Sequence, residues 1–488
     1  MIIVRLNRPE FEYDIHSLVK AFYPKQDVSV TAEEKTYEEP AVWEMQLSYL
    51  DNSIRIAWWE NGEEAAHELP GREFSVDFSD RAAVKNTLKQ NLYEMLSGYT
   101  GESLPWGTLT GIRPTKIPMK LLEEGADRDA IASYMKETYF ASDEKIRLSI
   151  DIAERELKLL SKIDYENGYS LYIGIPFCPT TCLYCSFTSY PLSVWAKRVD
   201  AYLDALEHEI DYVAVKFAGK RLNAIYIGGG TPTTLEPYQL DRLIRKIKCS
   251  FDLSDCLEFT VEAGRPDSIT REKLLVLRRH GISRISINPQ TMKDETLRLI
   301  GRHHTVEQTR ESFLLARELG FDNINMDLIL GLPGEDLTDV RRTMEQIREL
   351  EPDNITVHSL ALKRAARLNM FKENYKDYRM VNTQEHMELV ASCAKEMGLS
   401  PYYLYRQKSM AGNLENVGYA AHGKAGVYNI LIMEEKQTIV ACGAGSITKR
   451  VYSDGRIERC ENVKDVALYI EKIDEMIDRK RRLLGGKY

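Results

Sequence analysis

Three cysteines stand close together in the segment Cys178-Pro-Thr-Thr-Cys182-Leu-Tyr-Cys185, directly after the apolar run Leu171-Tyr-Ile-Gly-Ile175. This order predicts a short strand followed by a loop that presents three thiolates. Iron–sulfur clusters are held by Cys thiolates, usually four, so three thiolates leave one iron of a [4Fe–4S] cluster without a protein ligand. Such an iron can bind a small chelating molecule and pass it an electron. The spacing therefore predicts an iron–sulfur site with redox chemistry.

A structural zinc site, a disulfide framework and a chance cluster of buried thiols explain the cysteines less well. Structural zinc normally takes four ligands in two paired knuckles, and no second knuckle is present in the sequence. Secreted disulfide frameworks follow a signal peptide, whereas the apolar start of this chain is interrupted at Arg5. The remaining five cysteines stand singly, and we expect them to be small buried hydrophobes: Cys249, Cys256, Cys393, Cys442 and Cys460.

The composition limits the classes of protein to which the chain can belong. Its 488 residues favour about three domains. The 65 Lys and Arg residues against 74 Asp and Glu give a net charge of −9, which argues against nucleic-acid binding because that needs a basic face. No apolar run approaches the ~20 residues of a membrane helix. The sequence therefore predicts a cytoplasmic protein without a membrane span.

Two segments are predicted before the cysteine loop. Residues 1–104 carry strand-like runs at 1–6, 43–50, 54–59 and 73–78, then a helix whose N-cap is Asp80. This pattern predicts an N-terminal α+β domain. Residues 105–167 are mostly helical and form a connector, and neither segment carries a recognisable catalytic motif.

From residue 168 to residue 370, apolar strands alternate with amphipathic helices. The predicted strands lie at 171–175, 223–227, 257–262, 284–288, 324–329 and 354–358. The predicted helices between them lie at 201–216, 238–248, 271–280, 305–319 and 337–350. Six β-α units on short loops predict an α/β fold, a partial (β/α)6 barrel with its chemistry at the C-terminal strand ends. Residues 371–488 predict a mostly helical accessory domain.

Polar residues and glycines follow several of these strands. Gly228-Gly-Gly-Thr-Pro-Thr233 allows close approach to a ligand, although a simple tight turn is the alternative. Glu262 and Asp327 stand at strand ends, where a carboxylate can accept from a ribose hydroxyl. Arg302 can clamp a carboxylate. Individually such residues are more often surface groups, but their order along the strands favours a binding site, to which Gln290 also belongs.

Six motifs in one order make residues 168 to about 450 resemble the porphyrin-acting branch of radical S-adenosylmethionine (SAM) proteins. That branch includes oxygen-independent coproporphyrinogen III dehydrogenase. The matching segments begin at Leu171, Tyr226, Glu258, Ser286, Gly301 and Met326. The N-terminal domain and the segments 403–407 and 412–418 resemble the HemZ-type subgroup.

The resemblance implies a role for each candidate residue. The loop cysteines Cys178, Cys182 and Cys185 would bind a [4Fe–4S] cluster, and the strand ends would bind SAM, either one molecule or two. The residues implied for the methionyl part of SAM are Gly229, Gly230, Thr231, Glu262 and Arg302. Those implied for the ribose and adenine are Gln290, Asp327 and Tyr184. Tyr172 matches a tyrosine near the reacting centre and is the catalytic candidate, although core packing explains it equally well.

The sequence departs from two patterns of the family. The decarboxylating members usually carry Cys where this chain has Phe187, and His where it has Gly174. The haem chaperones carry a His-Asn-x-x-Tyr-Trp motif, and the corresponding residues 428–433 lack its His, Tyr and Trp in those positions.

The resemblance thus implies oxidative decarboxylation of coproporphyrinogen III propionates to vinyl groups, with a flavodoxin or ferredoxin-type reductant as partner. A haem-binding chaperone-like protein and a radical SAM enzyme that modifies another porphyrin or haem are the alternatives. A tetrapyrrole substrate with four carboxylates needs cations. The candidates are Arg113, Lys116, Arg265, Lys363 and Arg364.

Overall fold

The computed structural model describes residues 1–33, 35–37, 41–61, 66–361, 366–370, 375, 378–407 and 414–485. The chain divides into two compact units. One comprises Met1–Ala153 with Gly412–Leu414, and the other comprises Glu154–Ala411 with Glu415–Tyr488. Among the described residues, no helix is long and apolar enough to cross a membrane.

The first unit is built on a five-stranded sheet in the order β2-β1-β3-β4-β5, with β1 parallel to both neighbours and the later pairs antiparallel. The strands are β1 Ile2–Leu6, β2 Val28–Thr31, β3 Trp43–Tyr49, β4 Ser53–Asn61 and β5 Ala66–Ser75. The helices are α1 Glu12–Phe22, α2 Arg81–Thr100, α3 Lys116–Glu123, α4 Arg128–Tyr139 and α5 Asp143–Leu160, which continues into the second unit. Asp80 caps α2 as predicted, since its carboxylate accepts from the N–H groups of Ala82 and Ala83.

The second unit is built on an eleven-stranded sheet in the order β14-β15-β13-β12-β11-β10-β9-β6-β16-β17-β18, and a separate pair, β7 and β8, follows β6. The strands are β6 Gly168–Ile175, β7 Phe177–Cys178, β8 Tyr190–Pro191, β9 Arg221–Gly229, β10 Glu258–Gly264, β11 Arg284–Ile287, β12 Ile324–Leu330, β13 Asn354–Ser359, β14 Ser400–Tyr405, β15 Asn416–Ala420, β16 Thr438–Cys442, β17 Ile447–Val451 and β18 Ile457–Glu461.

Helices connect and cover these strands. They are α6 Leu192–Trp195, α7 Val199–Lys216, α8 Pro237–Ser250, α9 Arg271–Arg279, α10 Asp294–Leu299, α11 Val306–Glu318, α12 Leu337–Leu350, α13 Arg367–Met370, α14 Gln384–Glu396, α15 Val427–Glu434, α16 Val466–Glu471 and α17 Ile473–Leu484. The six predicted strands are adjacent and parallel, from β6 through β9, β10, β11 and β12 to β13. The partial barrel is therefore confirmed.

Residues 371–488 contribute strands to the barrel sheet as well as the expected helices. β15 and β14 continue the sheet beyond β13, and β16 pairs in parallel with β6. Both β15 and β16 are buried along their whole length. They complete hydrogen bonding at strands that would otherwise be open edges, so the accessory segment shares the barrel's sheet.

The register of the barrel strands aligns one layer of side chains. Tyr172 on β6 pairs with Tyr226 on β9, Tyr226 pairs with Thr260 on β10, and Thr260 pairs with Arg284 on β11. Side chains alternate between the two faces of a strand, so Glu262 follows two residues after Thr260 on the same face. This face lines the cavity described next.

Candidate active site

One cavity of about 450 Å³ lies within the second unit, at the C-terminal ends of the barrel strands. Every residue that the sequence predicted for the site lines it: Tyr172, Cys178, Cys182, Tyr184, Cys185, Gly229, Gly230, Thr231, Glu262, Gln290, Arg302 and Asp327. They come from six strands or the segments that follow them. The fold therefore gathers residues that are spread over more than 150 positions of sequence.

The cysteine loop fits a cluster better than a single ion. Cys178 and Cys182 are buried and Cys185 is half-buried. Thr231 Oγ1 donates to Cys178 Sγ at 3.6 Å, and Arg265 Nη1 donates to Cys182 Sγ at 3.8 Å. Among the described residues, no three His, Cys, Asp or Glu side chains converge as one metal ion would need. In a [4Fe–4S] cluster each thiolate binds a different iron, so the sulfurs need not converge.

The electrostatics of Cys178 also fit a metal ligand. Burial raises the pKa of its thiol to about 11, although the hydrogen bond from Thr231 opposes the shift. Cys182 and Cys185 raise the pKa further, because neighbouring thiolates would repel. Metal ligation requires the thiolate, and bound iron supplies the positive charge that stabilises it.

The glycine turn is fastened to the cysteine loop. Gly230 N donates to Ile175 O and Thr231 N donates to Phe177 O, both at 2.7 Å. A Cβ on Gly230 would lie 2.6 Å from Phe177 O and 3.0 Å from Cys178 Sγ, so no larger residue fits. Gly229 has φ +107°, in the region that favours glycine. We predicted that the glycines let a ligand approach the backbone closely. In the structure they also let the backbone of the glycine turn approach that of the cysteine loop.

Two carboxylates face the cavity beside this turn. Burial raises the pKa of Glu262 to about 7, and the charge of Asp327 adds to the shift. Tyr226 Oη donates to Glu262 and lowers that pKa in part. Asp327 accepts from Asn325 Nδ2 at 2.7 Å. Glu262 can therefore remain partly protonated near neutral pH.

Gln290 follows β11 in a left-handed conformation with φ +71°, which is uncommon for a residue other than glycine. Its N–H donates to Asp327 O, and its carbonyl accepts from Ile329 N–H, both at 2.9 Å. These two bonds to β12 hold Gln290 in a conformation that typically costs about 1–3 kcal/mol. Its position beside Asp327 is thus fixed by the backbone.

Arg302 is 5% exposed and lies beside Tyr184. Its Nη1 donates to the carbonyl of Asn288, whereas its Nε has no hydrogen-bond partner among the described residues. Burial raises the pKa of Tyr184, and the charge of Arg302 opposes this shift. A buried guanidinium with a free donor can bind the carboxylate of a ligand.

The sequence missed a group of side chains that we call the inner wall: Tyr226, Arg284 and Tyr428, which lie beside the predicted Tyr172. The ring of Tyr226 stacks on those of Tyr172 and Tyr428, with centroids 6.2 Å and 4.7 Å apart. Tyr226 and Arg284 occupy inward-facing positions of predicted strands, and this alternation could have identified them. Tyr428 lies on α15, far away in sequence, and no local signal points to it.

The predicted substrate cations are placed differently. Arg265 is 3% exposed, and its guanidinium pairs with Asp267 at 2.6 Å and donates to Thr180 Oγ1 at 2.7 Å. It is therefore engaged in supporting the cysteine loop. Arg113 and Lys116 belong to the first unit. Lys363 and Arg364, like Gly412 and Asn413 of the segment 412–418, lie outside the described residues.

Comparisons with known proteins agree with this geometry. Residues 172–347 match the model of the radical SAM superfamily. The oxygen-independent coproporphyrinogen-III oxidase-like protein HemZ of Bacillus subtilis is 40% identical to the chain, over 98% of this chain and 96% of that protein. The chain belongs to this HemZ-type family of radical SAM proteins. The predicted resemblance is confirmed.

Two further similarities cover the chain only in part. The haem chaperone HemW of Bacillus subtilis is 41% identical over 198 residues, which are 40% of this chain and 51% of that protein. The solved structure of coproporphyrinogen III oxidase (HemN) from Escherichia coli aligns with a TM-score of 0.52 and 24% identity, over 66% of this chain and 73% of that one. This structure supports the fold. As a radical SAM enzyme, the protein uses a [4Fe–4S] cluster and SAM.

Proposed function

We propose that the protein oxidatively decarboxylates propionate side chains of coproporphyrinogen III to vinyl groups. The observation that carries this proposal is the convergence of three thiols, a glycine turn and two carboxylates on one cavity. The chain that builds this cavity is 40% identical, along nearly its full length, to a coproporphyrinogen-III oxidase-like protein. Each reacting propionate would lose one hydrogen atom, CO2 and one electron. An electron acceptor is therefore needed as well as a flavodoxin or ferredoxin-type reductant for the cluster.

In this proposal Cys178, Cys182 and Cys185 hold the cluster. The bound cluster and SAM supply the one-electron chemistry that removes a hydrogen atom from the substrate. The N–H groups of Gly230 and Thr231 are engaged by the cysteine loop. The carbonyl oxygens of Thr231 and Thr233 are engaged by Thr234 and Lys273. The glycine carbonyls and Thr231 Oγ1 would therefore accept from the SAM ammonium group.

The remaining strand-end residues orient SAM. Arg302 would bind its carboxylate through the free Nε donor, and Glu262 would balance its positive charge. Asp327 and Gln290, fixed to each other through β12, would accept from the ribose hydroxyls. Tyr184 would stack on the adenine. Tyr172 would pack against the reacting part of the substrate, because it is stacked in the inner wall next to the cluster loop.

A haem-binding chaperone is the second candidate, because HemW matches the barrel at 41% identity. Residues 428–433, where the chaperones carry their haem motif, lie on α15, and Tyr428 is packed against Tyr226. No histidine occurs between residues 428 and 433. The chain thus lacks the side chain that would ligate haem iron in that position, and catalysis is the better supported function.

Product analysis tests the proposal. Cluster-loaded protein would be incubated without oxygen with SAM, a low-potential reductant, an electron acceptor and coproporphyrinogen III, and the tetrapyrroles identified by mass spectrometry. We expect loss of CO2 and two hydrogens at each converted propionate, and 5′-deoxyadenosine in proportion. Unchanged coproporphyrinogen together with modified haem would support the third possibility, a radical SAM enzyme acting on another tetrapyrrole. Stable haem binding without SAM consumption would favour the chaperone.

A further inference from the structure

Arg284 is a buried cation in the cavity that the proposed SAM and cluster ligands leave unused. Its side chain is 2% exposed and lines the cavity, one layer of side chains below Glu262. Since successive same-face residues are about 7 Å apart along a strand, Arg284 lies deeper in the barrel than the strand-end residues. It is the first residue of β11, whereas Gln290 follows the same strand.

Two nitrogens of the Arg284 guanidinium lack partners. Its Nε and Nη2 have no hydrogen-bond partner among the described residues. Arginine stays charged in proteins. Burial disfavours this charge, but Tyr402, Glu258 and Tyr226 favour it and leave the pKa of Arg284 raised. A ligand carboxylate would supply acceptors for Nε and Nη2, and the planar fork of Arg suits a two-pronged contact.

Glu258, which lies one layer of side chains below Thr260 and Arg284, is engaged elsewhere. Its Oε2 accepts from the N–H of Val427 at 2.5 Å, and its Oε1 accepts from Thr260 Oγ1 at 2.8 Å. It therefore anchors the start of α15. Its charge reaches Arg284 only at longer range.

The surroundings of Arg284 suit one pyrrole ring of a tetrapyrrole. Tyr226 and Tyr428 stack on each other and, like Arg284 and Asn429 of α15, line the cavity. Gly426 lies next to the guanidinium, since a Cβ there would lie 3.4 Å from Arg284 Cζ. An apolar aromatic wall with one cation is a common design of sites that orient a ligand by a single polar contact.

We propose that Arg284 binds a carboxylate of the substrate and thereby fixes how the substrate lies on the inner wall. The inference rests on the proposed tetrapyrrole function and deepens it. Arg302, close to the cysteine loop, would bind the carboxylate of SAM, and Arg284, deeper in the barrel, would bind that of the substrate. Arg302 and Arg284, two of the three buried arginines that line the cavity, would thus separate the carboxylates of two ligands.

Binding measurements on full-length, cluster-loaded protein test this division. The affinity for coproporphyrin III would be measured by fluorescence quenching and that for SAM by calorimetry, in wild type, Arg284→Gln and Arg284→Lys. We expect coproporphyrin affinity to fall at least tenfold in Arg284→Gln and several-fold in Arg284→Lys, with SAM affinity unchanged. The tetramethyl ester of coproporphyrin III should bind wild type and Arg284→Gln equally. Arg317→Gln is the control, because Arg317 pairs with Asp353 outside the cavity and should not change either affinity.

Other results would overturn the inference. Equal coproporphyrin affinity in wild type and Arg284→Gln, or loss of SAM affinity alone, would contradict it while leaving the proposed function in place. A purely structural role would lower the iron content of Arg284→Gln and both affinities together, whereas a substrate contact predicts that iron content and SAM affinity stay at the wild-type level. If wild type neither binds coproporphyrin III nor converts coproporphyrinogen III, the proposed function fails and this inference fails with it.

Discussion

The cavity has two unlike regions. The rim, formed by the cysteine loop, the glycine turn, Gln290 and Arg302, is made of loop and strand-end residues held by backbone hydrogen bonds. The inner wall, formed by Tyr226, Arg284 and Tyr428 beside Tyr172, is made of side chains on strands and on α15 that meet only in the folded barrel. We expect the rim to hold the cluster and SAM, and we expect the inner wall to contact the substrate. Rim substitutions should therefore abolish all chemistry, whereas inner-wall substitutions should alter what is bound.

Removal of a cluster cysteine should have the largest effect. Cys178→Ala, Cys182→Ala or Cys185→Ala should each abolish the cluster, because three thiolates are the minimum that leaves only one iron open. Anaerobically isolated wild type should contain about four iron and four sulfide per chain, measured by chemical analysis.

Cys393→Ala is the matched control, since Cys393 lies on α14 and is not among the residues that line the cavity. It should keep a full complement of iron. Stoichiometric zinc in natively isolated wild type would contradict the cluster assignment.

Removal of a SAM-binding side chain of the cavity should have the next largest effect. Arg302→Ala and Asp327→Ala should weaken SAM binding while leaving the iron content intact. A lost charged hydrogen bond costs about 1.5–3 kcal/mol, which is tenfold or more in affinity. Calorimetric titration with SAM measures this, and unchanged affinity in both variants would show that the ligand lies elsewhere.

The difference between the two regions also explains what the sequence could predict. Cys178, the glycine turn and Gln290 follow predicted strands within three positions, so a correct strand assignment places them without further information. The helix α12 and the starts of β11, β12 and β13 agree with the predicted bounds. Contacts of the inner wall join a strand to α15 across some 200 positions of sequence. The local hydrophobic pattern does not predict which distant residues come into contact.

Three of the missed elements have a local explanation. α1 begins after Phe11, which is left-handed and makes no side-chain cap, so the usual start signal is absent. β2 is only four residues long. α15 is apolar on nearly all sides, so it lacks the periodicity that marks an amphipathic helix.

The affinity for SAM should depend on pH, because the ionisable side chain of Glu262 lies between the rim and the inner wall. Its pKa is raised from 4.5 to about 7, chiefly by burial. An ionised Glu262 attracts the cationic SAM, so affinity should rise as pH rises through about 7, and Glu262→Gln should flatten this profile. The fold favours the protonated form. The contribution of Glu262 to folding stability is therefore present below pH 4.5 and lost as pH rises through about 7.

Tyr226→Phe should move the midpoint of this profile to higher pH, because the hydrogen bond from Tyr226 lowers the pKa of Glu262. Tyr238→Phe is the control, since its hydroxyl bonds to Asp200 and should not affect the midpoint. An unshifted midpoint in Tyr226→Phe would show that Tyr226 does not influence the pKa of Glu262. The measurement is SAM affinity across pH by calorimetry.

Substitution of Phe187 should have the smallest effect. Its side chain is 70% exposed at the cavity mouth, and exposed substitutions usually change stability by less than about 0.5 kcal/mol. Phe187→Ser should keep the iron content and the melting temperature of wild type. Phe177→Ser should have a lower iron content and a lower melting temperature than wild type, because Phe177 is fully buried. Loss of iron in Phe187→Ser would instead show that Phe187, like the three cysteines, is needed for cluster binding.

Transfer of a hydrogen atom from the substrate to 5′-deoxyadenosine tests the proposed decarboxylation most directly. Coproporphyrinogen III deuterated at the reacting propionate carbon would be incubated without oxygen with SAM, reductant, an electron acceptor and cluster-loaded protein. We predict that deuterium appears in 5′-deoxyadenosine, because the reacting carbon must lie close to the 5′ carbon of SAM. A vinyl product should form at the same time. Tight haem binding with no deuterium transfer and no SAM turnover for any porphyrinogen would contradict it.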